Sequence, residues 1–181
     1  ALEIPIIKER ADLVRDLRLG KSDKSAQRLA AYPYRFREMH ETTTNSLVIP
    51  SVSSENREYV PVGFVDKKTV VTNLAFVIYD CDPWIFGVVS SKMHNLWIKA
   101  VCGGLETRIR YSSELGYNTF PFPAITDEQK KDIRNCVNQV IAAREEEFDK
   151  TYAQMYKKDE MSDELRFAHS MLDLQIERCY R

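Results

Sequence analysis

Residues 105–111 read Leu105-Glu106-Thr107-Arg108-Ile109-Arg110-Tyr111, and this stretch decides how the chain is understood. Side chains alternate across a strand with a period of two. The sequence therefore predicts one strand with Leu105, Thr107, Ile109 and Tyr111 on one side and Glu106, Arg108 and Arg110 on the other. Three charged groups on one face of one strand are expensive to bury. They are either the solvent face of an edge strand, with Glu106 paired to a neighbouring Arg, or a β-element offered to a partner. Arg bonds bidentately to O6 and N7 of guanine, and Glu accepts from the N4 amino group of cytosine. A Glu and an Arg two residues apart can thus read both halves of one C·G pair.

Outward from this strand the chain changes character on both sides. Downstream, Ser112–Gly116 and the run Tyr117-Asn118-Thr119-Phe120-Pro121-Phe122-Pro123 read as irregular, since Pro suits neither regular helix nor a central strand. Upstream, Asp82-Pro83 opens a helix with an N-cap acceptor and Pro at its first position, and Gly103-Gly104 closes it. Trp84, Ile85, Val88, Val89, Leu96, Trp97 and Val101 give that helix a broad apolar face to bury. Before it, Leu47–Ile49, Tyr59–Val65 and Thr69–Tyr79 are rich in β-branched and aromatic residues and read as strands. Pro61 confines its strand to an edge or a bulge. Between the first two strands, Ser51, Ser53, Ser54, Asn56 and Arg57 form a polar loop, either an ordinary hairpin connection or a set of phosphate contacts.

The ends are helical. Over residues 1–40, Ile6, Ile7, Leu13, Val14, Leu17 and Leu29 recur at roughly helical spacing, with a break at Gly20 and Ser22. The Tyr32-Pro33-Tyr34-Arg35-Phe36-Arg37 stretch ends that region. Its aromatics either stack on nucleic acid or tuck into the core, and the sequence favours the core. At the other end Thr126-x-x-Gln129 is a capping box, followed by Ile133, Val137, Val140, Ile141, Phe148, Tyr152 and Met155 on one helix. After a turn at 157–161, Ser162 caps a second helix with Leu165, Ala168, Leu172, Ile176 and Cys179 along its stripe, giving an antiparallel hairpin. The expected fold is therefore α+β. A β-rich mixed or antiparallel domain at 41–123, with one buried helix, lies between a helical lead-in at 1–40 and a helical hairpin at 124–181.

Composition narrows the function. The 181 residues carry 26 Lys+Arg and 27 Asp+Glu, a net charge of −1, so general phosphate affinity is not a property of the whole chain. Residues 1–40 hold 9 basic and 6 acidic groups, 41–123 hold 7 and 8, and 124–181 hold 10 and 13. No apolar run reaches the roughly 18 residues of a membrane helix. Cys81, Cys102, Cys136 and Cys179 are widely spaced and read as reduced thiols of a cytoplasmic protein. The chain begins Ala-Leu-Glu-Ile without Met, which suggests a piece of a longer protein. Enzyme motifs are lacking: there is no Walker loop, GxSxG or GxGxxG. Asp80, Asp82 and His94 are the one set from which a small metal-dependent hydrolase can be imagined, against their reading as a strand end and a helix cap.

An ordered series of motifs goes further. It runs Ile49-Pro50-Ser51-Val52-Ser53-Ser54-Glu55, Tyr59-Val60-Pro61-Val62-Gly63-Phe64 and Leu74-Ala75-Phe76-Val77-Ile78-Tyr79-Asp80. It continues with Pro83-Trp84-Ile85-Phe86-Gly87-Val88-Val89-Ser90-Ser91-Lys92-Met93-His94-Asn95, Arg110-Tyr111-Ser112 and Tyr117-Asn118-Thr119-Phe120-Pro121. This resembles the target-recognition domain of the MmeI-like (type IIG/IIL) restriction–modification enzymes, and Met155-Tyr156 with Met161-Ser162-x-x-Leu165-Arg166-x-Ala168-His169 resembles their C-terminal helical domain. In that family one long chain joins a nuclease, an adenine-N6 methyltransferase using S-adenosylmethionine, a recognition domain and the helical domain.

The resemblance implies double-stranded DNA as partner, a methyltransferase domain in the same parent chain, and Mg for any cleavage. It implies base reading by Glu106 with Arg108, and by Arg110 with Leu74. Ser51, Ser53, Ser54, Arg57 and Lys92 are expected on the DNA backbone. The Asn-Pro-Pro-Tyr methyltransferase motif and the Asp…Glu-x-Lys nuclease motif are absent, so no catalytic residue is expected in this segment. A stand-alone specificity or scaffold module that recruits a separate catalytic subunit is the alternative.

Overall fold

The computed structural model describes residues 4–37, 40–105 and 108–181, which fall into two compact units, 1–41 and 42–181. In the first unit α1 (Pro5–Leu19) ends at Gly20, and α2 (Lys24–Leu29) starts where the Asp23 carboxylate accepts from the Ser25 N–H. The break expected at Gly20 and Ser22 is there. Arg18 ties the unit together by donating to the carbonyls of Leu29, Tyr32 and Arg35 at 2.9, 2.9 and 2.6 Å. The aromatics that follow are not core residues. Tyr32, Tyr34 and Phe36 are exposed, and Pro33 alone of that short run is buried. A unit of two short helices has too little interior to enclose them.

Among its described residues the second unit holds two three-stranded antiparallel sheets. One has the order β3-β1-β4, from β1 (Ser46–Pro50), β3 (Gly63–Val65) and β4 (Ala75–Ile78). The other has the order β2-β6-β5, from β2 (Val52–Ser54), β5 (Gly104–Leu105) and β6 (Arg108–Arg110). The α+β class is as expected, and β3, just after Pro61, is an edge strand. Four local expectations are corrected. Val52–Ser54 is a strand rather than loop, because its backbone pairs antiparallel with β6. Residues 59–62 are extended core without sheet pairing; Tyr59, Val60 and Val62 are buried, while Pro61 has no N–H to offer a ladder. Of the expected strand at 69–79, only Ala75–Ile78 pairs.

The fourth correction concerns 105–111, which is not one strand. β5 runs antiparallel to β6, with Leu105 opposite Arg108 and Gly104 opposite Ile109. A period-two pattern cannot tell one long strand from a tight hairpin.

The helix expected from Pro83 to Val101 is two, α3 (Pro83–Ser90) and α4 (Lys92–Val101). Ser91 is extended between them (φ −69°, ψ 156°); its hydroxyl donates to the Val88 carbonyl and accepts from the His94 N–H. One serine thus ends one helix and starts the next. Residues Ser113–Tyr117, expected to be irregular, form one turn of π-helix capped by Ser112.

The tail contains α5 (Asp127–Glu145), whose capping box of Thr126 and Gln129 is present as expected. It stops ten residues earlier than the apolar spacing suggests. Phe148 is exposed, and a second capping box, Thr151 with Gln154, opens a short α6 (Tyr152–Met155). Ser162 then caps α7 (Asp163–Arg178).

The core lies where α3 packs on α5 and α5 on α7, and it includes Leu47 of β1. Leu47, Phe86, Ile133, Val137, Leu165, Leu172 and Ile176 are fully buried there. A Cβ on Gly87 would lie 2.5 Å from Ile133 Cγ2, so α3 approaches α5 as only glycine permits.

Candidate nucleic-acid interface

The site is built on β6. Arg108 and Arg110 are exposed and Ile109, between them, is buried, so both guanidinium groups leave the strand on the solvent side. Pairing with β2 sets Val52 opposite Arg110, Ser53 opposite Ile109 and Ser54 opposite Arg108. Residues directly opposite in an antiparallel pair share a face. Ser54 therefore lies beside Arg108 on the solvent face, while Ser53 lies under it, buried, with its hydroxyl accepting from Arg57 Nη1 at 3.3 Å. Glu106 lies outside the described residues.

Ser51 joins the two sheets. Its N–H and hydroxyl donate to the Leu74 carbonyl at 3.1 and 2.6 Å, and its own carbonyl accepts from the Tyr111 N–H at 2.9 Å. One residue thereby brings the end of β4 alongside the end of β6. Leu74, 74% exposed, immediately precedes β4, and Arg110 ends β6, so the two flank the same crossing.

Beneath β6 the support is aromatic. The Tyr111 hydroxyl and His94 Nε2 are 3.1 Å apart, and the buried Phe120 ring meets His94 edge-on at 4.7 Å between centroids. Trp97 and Phe122 pack on Phe120 from two further directions. Burial holds the His94 pKa down to about 4, so its ring is neutral at pH 7. Such a base fixes the strand and leaves its outer face to make contacts.

Lys92 stands apart from these residues. It begins α4, its backbone N–H donates to Asp173 of α7 at 2.8 Å, and its ammonium sits 5.2 Å from the Tyr59 ring centroid. Asp173 also accepts from the Tyr59 hydroxyl at 2.9 Å, and burial pushes its carboxyl pKa up. Nearby, Arg144 of α5 donates to the Tyr156 hydroxyl at 2.7 Å and to the Val62 carbonyl at 2.9 Å, and lies over the rings of Phe86, Tyr152 and Tyr156. His169 stacks on Tyr59 and meets the Tyr156 hydroxyl at 2.7 Å. Sequence reasoning missed this polar seam. Its signal was visible: Arg144, His169 and Asp173 fall within apolar helical stripes, at spacings that bury a polar side chain and call for partners.

The residues from which a hydrolase was imagined are occupied structurally. Asp80 accepts from the N–H groups and hydroxyls of Thr43 and Thr44, which hold its carboxyl below the usual range. Asp82 caps α3 through the Trp84 N–H and forms a two-point ion pair with Arg134. His94 is sealed under β6. Among the described residues no group of three or more His, Cys, Asp or Glu side chains is placed to hold a metal ion. The described cysteines are all free, and burial pushes the Cys81 thiol up to about 12, which leaves it unreactive. No described helix is long and apolar enough to cross a membrane.

A sheet that offers arginines from a buffered strand, braced by a helical tail, defines a recognition module. The chain belongs to the family of MmeI target recognition domains, whose model matches residues 1–124, and continues into the MmeI C-terminal domain, matched over 125–181. It is 43% identical over 177 residues to the DNA methyltransferase A of Bacillus subtilis (strain 168), covering 98% of this chain and 20% of that protein. It also superimposes on the solved structure of the Type IIL restriction–modification enzyme MmeI in complex with DNA. That match has a TM-score of 0.90 and 37% identity, over 97% of this chain and 24% of the enzyme. The chain thus spans about a fifth to a quarter of the length of these relatives.

Proposed function

We propose that this chain selects the DNA sequence on which a linked adenine-N6 methyltransferase, and in some enzymes a nuclease, acts. Residues 41–123 read the duplex, 124–181 buttress the reading surface, and 1–40 lead in from the rest of the parent chain. Glu106 and Arg108 read one C·G pair. Arg110 reads a neighbouring pair together with Leu74, and Ser54 and Arg57 hold the backbone in register, while Ser51, whose N–H and hydroxyl both donate to the Leu74 carbonyl, acts by joining the two sheets. Ser53 acts through Arg57, since its hydroxyl is buried against that side chain. Lys92, on the α7 seam, contributes least.

One observation carries this reading. In a recognition-domain family member, two arginines leave one face of a strand whose intervening residue is buried. The near-neutral charge fits a module whose phosphate affinity is completed by other domains. S-adenosylmethionine, and Mg for cleavage, are assigned to those other domains, in keeping with a methyltransferase relative of which this chain covers 20%. The working compartment is the cytoplasm.

The test is the Arg110→Ala variant of the full-length enzyme. Sequencing of its methylated sites is expected to show relaxed preference at one base pair, with discrimination there falling by about 1–3 kcal/mol. An unchanged site, or loss of methylation on every sequence alike, contradicts the assignment.

A further inference from the structure

The turn after β2 stands between two clefts. One, of about 270 Å³, is lined by Glu55, Lys99, Gly103, Gly104 and Arg108, next to the reading strand. The other, of about 520 Å³, has Ser54, Asn56 and Arg57 on one wall and Ala153, Lys157, Lys158 and Asp159 of the tail on the other. The second cleft gathers three cations against one carboxylate in its lining, although residues 124–181 carry 10 basic and 13 acidic groups.

Its two walls are held in place from both sides. Glu58 pairs with Arg166 at 2.5 Å, and Arg166 Nη2 donates to the Lys158 carbonyl at 3.2 Å, which anchors the backbone that carries both lysines. Lys99 of the first cleft donates to the Arg57 carbonyl at 3.4 Å, which ties the two clefts together, and their linings hold Arg108, Lys99, Arg57, Lys157 and Lys158 against Glu55 and Asp159. Lys157 also pairs with Glu160, which tempers its charge in the absence of a competing anion. Ser54 lies opposite Arg108 on β2, which puts the mouth of this cleft beside the base-reading face.

We infer that Lys157 and Lys158 of the tail, with Asn56 and Arg57 of the recognition loop, form one clamp on the sugar–phosphate backbone of the bound duplex. The C-terminal domain then contacts DNA itself, in addition to bracing the sheet that reads it. Phosphates flank every base pair, so cations grouped beside a base-reading strand are placed to meet the backbone of the duplex that the strand reads. Arg57 is half-buried, and burial lowers its pKa, so a bound phosphate restores charge partnership that solvent supplies only in part. The inference rests on the DNA-reading role proposed above, but it concerns affinity and leaves the choice of sequence to β6.

The experiment compares the full-length enzyme with its Lys157→Ala/Lys158→Ala double variant. Equilibrium binding is measured on a duplex with the methylated target and one without it, across a NaCl series. Affinity is expected to fall about tenfold on both duplexes alike, and the slope of log K against log[NaCl] to flatten by about 1 to 2, with the methylated sequence unchanged. The Lys157→Arg/Lys158→Arg pair is expected to keep the wild-type slope, which separates charge from any effect on folding. A wild-type slope in the alanine variant, a flattened slope in the arginine variant, or loss confined to the target duplex overturns the clamp. Failure of base reading is seen separately: Arg110→Ala would leave the target unchanged while the lysine variant still flattened the slope.

Discussion

Arg110 on β6 and Arg144 on α5 carry the same guanidinium into opposite environments. Arg144 is 4% exposed, donates to the Tyr156 hydroxyl and the Val62 carbonyl, and is enclosed by three aromatic rings. Arg110 stands on the solvent face of a three-residue strand whose other face is sealed by Ile109, Tyr111 and His94. A buried charge must spend its hydrogen-bonding capacity within the protein, so it holds elements together. An exposed charge on a braced strand keeps that capacity for a partner. Substitutions in the seam should therefore strike stability, and substitutions on β6 should strike sequence choice.

The sharpest way to break this contrast is Arg144→Met. It removes two charge-assisted hydrogen bonds and leaves the Val62 carbonyl buried without its donor. Denaturant unfolding is expected to show a loss of about 3 kcal/mol, while any folded enzyme keeps its target. Asp173 gives a graded version. Asp173→Ala strands both the Tyr59 hydroxyl and the Lys92 N–H and is expected to destabilise by about 2 kcal/mol. Asp173→Asn can serve both partners, and burial already disfavours the charged carboxylate, so its effect should stay within about 1 kcal/mol. Equal losses for the two variants would show that the seam depends on the charge.

Next in size is pH. Burial depresses His94 to about 4 and His169 well below its ordinary value, so the fold favours both neutral rings. Their contribution is full above the unfolded-state value near 6.5 and is lost as pH falls from there, through about 4 for His94 and through the depressed value of His169. Thermal melting should decline over that window. His94→Gln, which keeps a partner for Tyr111 without titrating, should flatten part of the decline. The smallest effect belongs to β6: Arg110→Ala should alter unfolding free energy by no more than about 0.5 kcal/mol.

Much of this division was legible in the sequence because it depends on local pattern. The Thr126 capping box and the Asp82-Pro83 helix start are each written within one helical turn, and the buried stripe of α7 in residues that follow one another at helical spacing. The opposite faces of Arg110 and Ile109 follow from the period of two. What escaped depends on partners distant in the chain. Val52–Ser54 is a strand because β6 lies beside it more than fifty residues later, and its serines look like loop until that partner is known. Ser91 breaks a helix whose apolar pattern runs through it unchanged. The burial of Arg144, His169 and Asp173 is legible from their helical stripes, but their partners Tyr59, Val62 and Lys92 come from elsewhere in the chain. Lys157 and Lys158 gain their meaning from Arg57, a hundred positions away.

The central claim is that β6 and the residue two positions before it choose the DNA sequence. It is tested most directly by sequencing the methylated sites made by the full-length enzyme carrying Glu106→Lys with Arg108→Asp. The account predicts that one recognised base pair changes while methylation proceeds at the new site. An unaltered recognition sequence, or methylation abolished on all sequences in a variant that still folds, would contradict it.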